Sequence, residues 1–216
     1  SGAVVSAANS LVGIRADHQV GSGAVVALTN GNFVFRVSGI DAAASAANVG
    51  AAIWASGISA VIGPVSSSTG LAGSNPGDGV GGAIVALTNG HYVVASTTWA
   101  NGAATNAGAV TWRDGTVANS AIVSPANSLV GSKTNDLVGS LGTVALSNGN
   151  YVVGSNNWDN GAVPNVGAVT WGNGLGGTIG LISAGNSLVG AVLEDRIGEV
   201  GGVAPLSDGN SVIGSP

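Results

Sequence analysis

Short apolar runs separated by Gly, Asn and Ser dominate the chain. In residues 83–96, AIVALTNGHYVVAS, two runs rich in Val and Ala flank the pair Asn89-Gly90. Apolar runs of this length between turn residues predict β-strands, and an Asn-Gly pair between them predicts a hairpin with a two-residue type I′ turn. No segment shows the 3.6-residue period of an amphipathic helix, so the pattern predicts an all-β protein.

The hairpin stretch occurs four times at nearly constant spacing. Its central pentapeptide starts at Ala27, Ala86, Ala145 and Pro205, which gives steps of 59, 59 and 60 residues. Tryptophans keep the same step, and so does the stretch Asn-Ser-Leu-Val-Gly, which starts at residues 127 and 186. A fixed period of this length indicates a repeat architecture.

Four strand-like runs fit within one repeat. In the third repeat they cover residues 142–147, 151–155, 167–171 and 180–190. Four antiparallel strands per repeat predict a β-propeller-like fold, with four-stranded blades and a period of about 59 residues. A β-solenoid is the alternative, since 59 residues are close to three coils of about 20 residues. The Asn-Gly turns favour the propeller because they reverse the chain.

The phase of the repeat divides the chain into blades of one repeat domain. The predicted divisions are a partial blade 1–22, blades 23–81, 82–140 and 141–199, and a partial blade 200–216. The last of these holds only the first hairpin of a blade, and the chain contains no Met, so we expect a piece of a longer protein. Open strand edges would then take other copies or neighbouring repeats as partners.

The composition argues against several kinds of partner and site. Only 7% of the residues are charged, and the five Lys and Arg residues are scattered, which argues against nucleic acid as a partner. No uninterrupted apolar stretch is long enough for a membrane span, so no membrane insertion is expected. The absence of Cys excludes disulfides and thiolate ligands. Without a catalytic, cofactor or metal motif, we expect no enzyme activity, no cofactor and no metal.

The repeat unit resembles a known class of proteins. Its elements V-x-A-L-x-N-G-N-Y-V-V-x-S, G-A-V-T-W and N-S-L-V-G resemble the repeats of very large bacterial surface adhesins of the filamentous haemagglutinin type. The resemblance implies an extracellular or cell-surface, non-catalytic module with a structural or adhesive role. The chain is more distantly similar to the FG-GAP repeats of integrin propellers. Their acidic calcium loop is missing here, since an Asn-Gly turn stands in its place.

Two sets of recurring residues are expected to support the fold. Each aspartate should accept backbone N–H bonds in the turn before a hairpin, and each tryptophan should pack between blades with its indole N–H bonded to a loop. The aspartates are Asp17, Asp78, Asp136 and Asp195, and the tryptophans are Trp54, Trp112 and Trp171.

A third set suggests binding. Trp99 and Trp158 lie in polar loops, with Asn101, Asp159 and Asn160 nearby in sequence. Aromatic rings beside amide and carboxylate groups suit sugars, so a lectin-like module that binds glycans is an alternative function. Anchoring of the loop by an indole folded over the blade edge is the competing interpretation. A self-assembling filament subunit is a further alternative, since open strand edges can pair with another chain. His91, which replaces an Asn after the turn, is expected to face solvent.

Overall fold

The computed structural model describes residues 4–42, 47–199 and 202–215. The predicted divisions at residues 1 and 200 lie outside the described residues. The described part is all-β, apart from one 3-10 turn at Ser67–Thr69. In chain order its strands are β1 (Leu11–Gly13), β2 (Val20–Ala27), β3 (Phe33–Val37), β4 (Ala51–Ala55), β5 (Gly63–Val65), β6 (Leu71–Ala72), β7 (Ala83–Ala86), β8 (Tyr92–Ser96), β9 (Ala109–Arg113), β10 (Ala121–Ile122), β11 (Leu129–Val130), β12 (Gly142–Ala145), β13 (Tyr151–Ser155), β14 (Ala168–Gly172), β15 (Gly180–Leu181), β16 (Ser187–Val189), β17 (Val203–Pro205) and β18 (Ser211–Ile213).

The four predicted hairpins are confirmed, and they open four successive antiparallel sheets. Their turns differ from the predicted type I′. In the first turn the Gly31 N–H donates to the Leu28 carbonyl at 3.0 Å, and the Leu28 N–H donates to the Asn32 carbonyl at 2.8 Å. Gly31 has a φ of 86°, while Asn30 keeps a negative φ. The loop is therefore a three-residue type I turn that ends in a glycine bulge.

Each repeat contributes four strands to one antiparallel sheet. We call β2, β3, β4 and β6 unit 1, the strands β7, β8, β9 and β11 unit 2, and the strands β12, β13, β14 and β16 unit 3. Within each unit the strands pair in that order. The fourth hairpin, β17 with β18, forms a two-stranded sheet.

A short strand from the following repeat extends the sheets of units 1 and 2, and a third such strand forms a two-stranded sheet with β1. We call β5, β10 and β15 the connector strands, because each precedes the last strand of its own unit but pairs in parallel with the last strand of the repeat before it. The pairs are β5 with β1, β10 with β6, and β15 with β11. This corrects the fourth predicted strand, residues 180–190. That run is two strands in two different sheets, separated by a turn in which the Asn186 N–H donates to the Ser183 carbonyl.

The two largest hydrophobic clusters lie between units, while the buried residues of a third all belong to the first repeat. One cluster joins Leu71 and Val80 of unit 1 to Tyr92 and Trp99 of unit 2. A second cluster joins unit 2 to Tyr151 and other residues of unit 3 in the same manner. Consecutive first strands (β2, β7, β12 and β17) also contact one another. Among the described strands the last hairpin pairs with no strand of unit 1, so these sheets do not close into a ring.

Candidate functional site

The junction between consecutive units is the place where recurring polar side chains meet. Its first component is a ladder of turn asparagines, which we call the amide ladder. The Asn30 side-chain N–H groups donate to the carbonyls of Gly90 at 3.0 Å and Gly115 at 2.8 Å, both in the next unit. Asn89 donates in the same way to Gly149 at 3.3 Å and Gly174 at 2.8 Å. The ladder thus ties each turn to the next.

The ladder continues to the last hairpin and changes there. The side chain of Asn148 donates to the Gly209 carbonyl at 3.1 Å. The next residue in the series is Asp208, whose carboxylate accepts the Asn210 N–H at 3.0 Å, as the turn asparagines accept theirs, but has no N–H to donate. From the sequence these asparagines are predicted only as turn formers. Their recurrence at the repeat period beside apolar strands was the signal for a second role, in hydrogen bonds between units.

The tryptophans that end the third strands belong to the same junction. The Trp54 indole N–H donates to the Gly115 carbonyl at 2.8 Å, and that of Trp112 donates to the Gly174 carbonyl at 2.9 Å. Each acceptor lies in the turn after the third strand of the following unit. The predicted packing between repeats is confirmed for these two residues. Trp171 differs, because it is 52% exposed within the described structure.

Aspartates form the other end of the junction. Buried Asp136 accepts the N–H groups of Ser132 and Lys133 through Oδ2, both at 2.8 Å, and the Asp159 N–H through Oδ1 at 3.1 Å. The first two bonds close its own turn, and the third reaches the next unit. Asp78 makes the equivalent three bonds to Ser74, Asn75 and Ala100. The predicted backbone-accepting role is therefore confirmed for both residues.

Asp136 and Asp195 sit at equivalent positions but have opposite pKa shifts. Desolvation by burial raises the pKa of Asp136 above its ordinary value, despite the backbone hydrogen bonds that favour the charged form. Asp195 accepts the N–H groups of Val192 and Ala191, and these bonds lower its pKa. The difference follows from exposure, since no following loop covers Asp195 within the described residues.

Asp17 was the wrong member of the aspartate series. It is exposed, and the equivalent position belongs to His18, which packs on Gly13 as Asp136 packs on Gly131. The DHQVG sequence places its acid one residue too early. His18 is 2% exposed, and its Nδ1 atom has no hydrogen-bond partner among the described residues.

Trp99 and Trp158 do not form a sugar-binding surface. Each is only 4% exposed and packs in a core cluster between units. In unit 1 the same position holds Ile40, which is fully buried. An aliphatic side chain in this position shows that it serves as core. The argument for sugar binding by these two residues needed exposed indoles, and their burial between units removes it.

The polar residues near these indoles have structural roles as well. Asn101 donates its side-chain N–H to the Gly131 carbonyl at 2.8 Å. Asp159 accepts the Asn165 N–H at 2.9 Å, and its other oxygen lies 3.9 Å from Lys133 Nζ. Asn160 closes a tight loop through backbone bonds with Val163. The side chains of Asn101 and Asp159 therefore have partners within the protein, whereas Asn160 makes its bonds through the backbone.

His91 is part of the fold rather than a solvent-facing substitution. Its Nδ1 accepts the Gly115 N–H at 3.2 Å, as the Asn150 side-chain oxygen accepts the Gly174 N–H at 3.0 Å. Its ring centroid lies 5.0 Å from that of Trp112 in an edge-on contact. The prediction was wrong because an imidazole nitrogen can replace an amide oxygen as acceptor.

Neither a cluster of metal ligands nor a membrane-spanning helix is present in the described ranges. In the described ranges, no three His, Asp or Glu side chains come together in a way that could hold a metal ion. The helical content of those ranges includes no segment long and apolar enough to cross a bilayer. The largest recurring polar constellation is therefore the unit junction itself.

Comparison with protein families gives a direct match to the repeat. The model of a repeat of unknown function (DUF5650) matches residues 1–22, 27–82, 86–140 and 145–199. Three of these segments start at the residues from which the period was counted. A search of the curated proteins finds no match to the chain.

Proposed function

The chain belongs to the family defined by this repeat of unknown function, and we propose that it is a non-catalytic scaffold module of a large bacterial surface protein. Its task would be to hold an extended array of units together outside the cell. One observation carries the proposal: the polar side chains that recur at the repeat period form hydrogen bonds between units. Repeats retain what the array needs, because each unit buries its apolar faces only against its neighbours.

The position of the core supports a scaffold role. The two largest clusters combine side chains from two consecutive units, and no cluster belongs to unit 2 alone. A unit taken by itself would expose both faces that its neighbours now cover. Because neighbouring units share a core, pulling one unit away from the next would expose apolar side chains of both. The array should therefore resist separation of its units.

The extracellular and adhesive parts of the proposal rest on the resemblance to filamentous haemagglutinin-like adhesins. A surface rich in Gly, Asn, Ser and Thr and poor in charge agrees with that class. We further propose that successive sheets are arranged like propeller blades about the line of first strands. The contacts among β2, β7, β12 and β17 support this arrangement.

Equilibrium unfolding tests the scaffold role. Tryptophan fluorescence and far-ultraviolet circular dichroism should give one coincident urea transition, because neighbouring units share their cores. The urea dependence of the unfolding free energy should match the surface exposed by the whole array rather than by one unit. Separate transitions for the units would contradict the scaffold proposal.

Labelling of intact cells tests the location. Antibodies raised against the chain should bind intact cells of the source bacterium, and external protease should remove the signal. A cytoplasmic protein stained in the same cells serves as the control for lysis. Staining that requires permeabilised cells would contradict the extracellular part of the proposal and leave the scaffold part in place.

A further inference from the structure

The first junction, between units 1 and 2, lacks two side chains that close the second junction, between units 2 and 3. In the turn before β12, the Leu137 N–H donates to the Asn106 carbonyl at 3.1 Å, and the Asn135 side-chain oxygen accepts the Asn106 amide at 3.0 Å. In the turn before β7, Gly77 and Gly79 stand in the places of these two side chains. Neither bond has a counterpart there among the described residues, and the turn leaves a cleft beside it.

The turn before the last hairpin shows which ligand chemistry suits this place. There Glu194 holds the position, and its carboxylate accepts the Asn165 amide at 2.8 Å and the Arg196 Nε–H at 2.7 Å. An amide and a guanidinium thus hold one carboxylate within the chain. At the first junction Asn48 is the counterpart of Asn165. Among the described residues it bonds to a side chain through its backbone N–H alone, which donates to Asp41 at 3.0 Å.

A guanidinium without a counter-ion lines the same cleft. Arg36 forms no ion pair or hydrogen bond with a described residue, and its Nε is buried without a partner. Its stem lies between Gly23 and Gly81, where added Cβ atoms would come within 2.9 Å of its Cβ and 3.2 Å of its Cγ. In unit 3 the arrangement is reversed, since Gly154 takes the position of Arg36 and Leu141 covers it. A charge where another repeat uses an aliphatic side chain is costly unless an acceptor binds it.

The walls of the cleft carry both charges. It has a volume of about 400 Å³, and exposed Asp17 lines it together with Arg36, with which it forms no ion pair. A simple anion would meet repulsion from that carboxylate. A ligand that carries hydroxyl groups beside its own carboxylate avoids this conflict, because the hydroxyls donate to Asp17 while the carboxylate takes a bidentate bond from the guanidinium.

We propose that this cleft binds a sugar acid, a ring with one carboxylate and several hydroxyl groups. Its carboxylate would accept N–H groups of Arg36 and Asn48, as the Glu194 carboxylate accepts from an amide and a guanidinium in its own turn. The ring hydroxyls would donate to Asp17. The inference goes beyond the scaffold role, since it gives one junction a ligand, and it does not depend on how the units unfold.

Ligand-observed NMR titration of the whole chain tests the site. We expect saturable binding of D-galacturonate or D-glucuronate. Galactose lacks the carboxylate, and N-acetylglutamate α-amide, which stands for an acidic peptide, lacks the hydroxyls. Each should bind at least about ten-fold more weakly, because each loses one set of hydrogen bonds to a charged group. Saturation by neither sugar acid would overturn the site, and equal binding of the glutamate derivative would overturn the assignment to a sugar.

Three variants locate the binding in the cleft. Arg36→Gln keeps the stem but removes the charge, and it should weaken binding about ten-fold or more. Gly77→Asn introduces the side chain that closes the second junction, at a φ of 81° that Asn accepts, and it should block the ligand without unfolding the chain. Asn135→Gly opens the second junction, where Ala95 stands in place of Arg36, and it should create no second site.

The two cleft variants also separate binding from folding. Far-ultraviolet circular dichroism and urea titration should show that Gly77→Asn folds as the original chain does. Unchanged binding of the sugar acid in Arg36→Gln or in Gly77→Asn would overturn the site. The scaffold proposal survives that result if unfolding is still a single transition.

Discussion

The junction between units 2 and 3 and the far face of unit 3 consist of nearly the same residues in different surroundings. Trp112 donates to a carbonyl of the next unit, while Trp171 is half exposed. Leu129 is buried beneath a connector strand, while Leu188 lies on an open edge. The comparison shows that burial at these positions is set by the neighbouring unit. The same side chain is core in one repeat and surface in the next.

The largest loss of stability should come from the replacement of a tryptophan that is buried between the described units. Trp158→Ala should lower the free energy of unfolding by about 3–5 kcal/mol, because a large buried ring leaves a cavity. Trp171→Ala should cost less than about 1 kcal/mol, since half of that ring is already in water. Urea titrations of both variants measure the difference. Trp158→Phe, which keeps part of the ring volume, is the control, and equal losses for the two alanine variants would break the comparison.

The amide ladder should give the next largest effect. Asn89→Asp keeps the oxygen that accepts the His91 N–H but removes the donor to Gly149 and Gly174. We expect a loss of about 2 kcal/mol, at roughly 1 kcal/mol for each hydrogen bond. The natural aspartate of the series provides the reverse change, and Asp208→Asn should alter stability by less than about 0.5 kcal/mol. If both substitutions are neutral, the ladder does not stabilise the junction.

Removal of a single indole donor should have a smaller effect. Trp112→Phe keeps an aromatic ring beside His91 but leaves the Gly174 carbonyl with one donor fewer, so a loss of about 1 kcal/mol is expected. Trp171→Phe removes an indole N–H that has no such acceptor among the described residues, and its unfolding midpoint in urea should stay close to that of the original chain. Similar shifts for the two variants would show that the hydrogen bond to Gly174 is not what distinguishes the faces.

The smallest expected effect is the pH dependence of stability, which should have opposite signs for Asp136 at the covered junction and Asp195 at the far face. Because the pKa of Asp195 is lower in the folded protein than its ordinary value of 3.8, the ionised carboxylate stabilises the fold above pH 3.8. This contribution is lost as the pH falls through the lowered pKa. The raised pKa of Asp136 acts the other way, because its contribution declines as pH rises from 3.8 through the raised value.

Thermal unfolding between pH 2.5 and 6 measures this contrast. The stability of the original chain relative to the Asp195→Asn chain should grow with rising pH. Relative to the Asp136→Asn chain it should shrink. The same trend in both comparisons would show that burial does not give the two carboxyls opposite pKa shifts.

Local sequence signals predicted most of the strands. The hairpins and the third strands follow from apolar runs and turn residues, and the period follows from self-similarity. Residues 180–190 are predicted as one strand, although the turn residues Ser183, Gly185 and Asn186 divide their apolar positions, so the connector strand is not separated from the strand that follows it. Their division depends on pairing with the preceding repeat, about 50 residues away in the chain.

Site residues were predictable where the turn alone determines their role. Asp136 bonds to the N–H groups three and four residues before it, so its role could be inferred from the turn. The burial of Trp99 and Trp158 could not, since polar neighbours in sequence say little about a ring that packs on another unit. His18 was missed because the acid beside it matched the series by type but not by position.

The placement of the connector strands sets an order of events during synthesis. Strand β10 completes the sheet of unit 1, yet it is translated after β7, β8 and β9 of unit 2. A nascent chain that has not yet passed Ile122 therefore carries unit 1 with an uncovered last strand. The sheets of units 1 and 2 are therefore completed only after most of the following repeat has been translated. A cut between repeats would therefore separate unit 1 or unit 2 from the connector strand that completes its sheet.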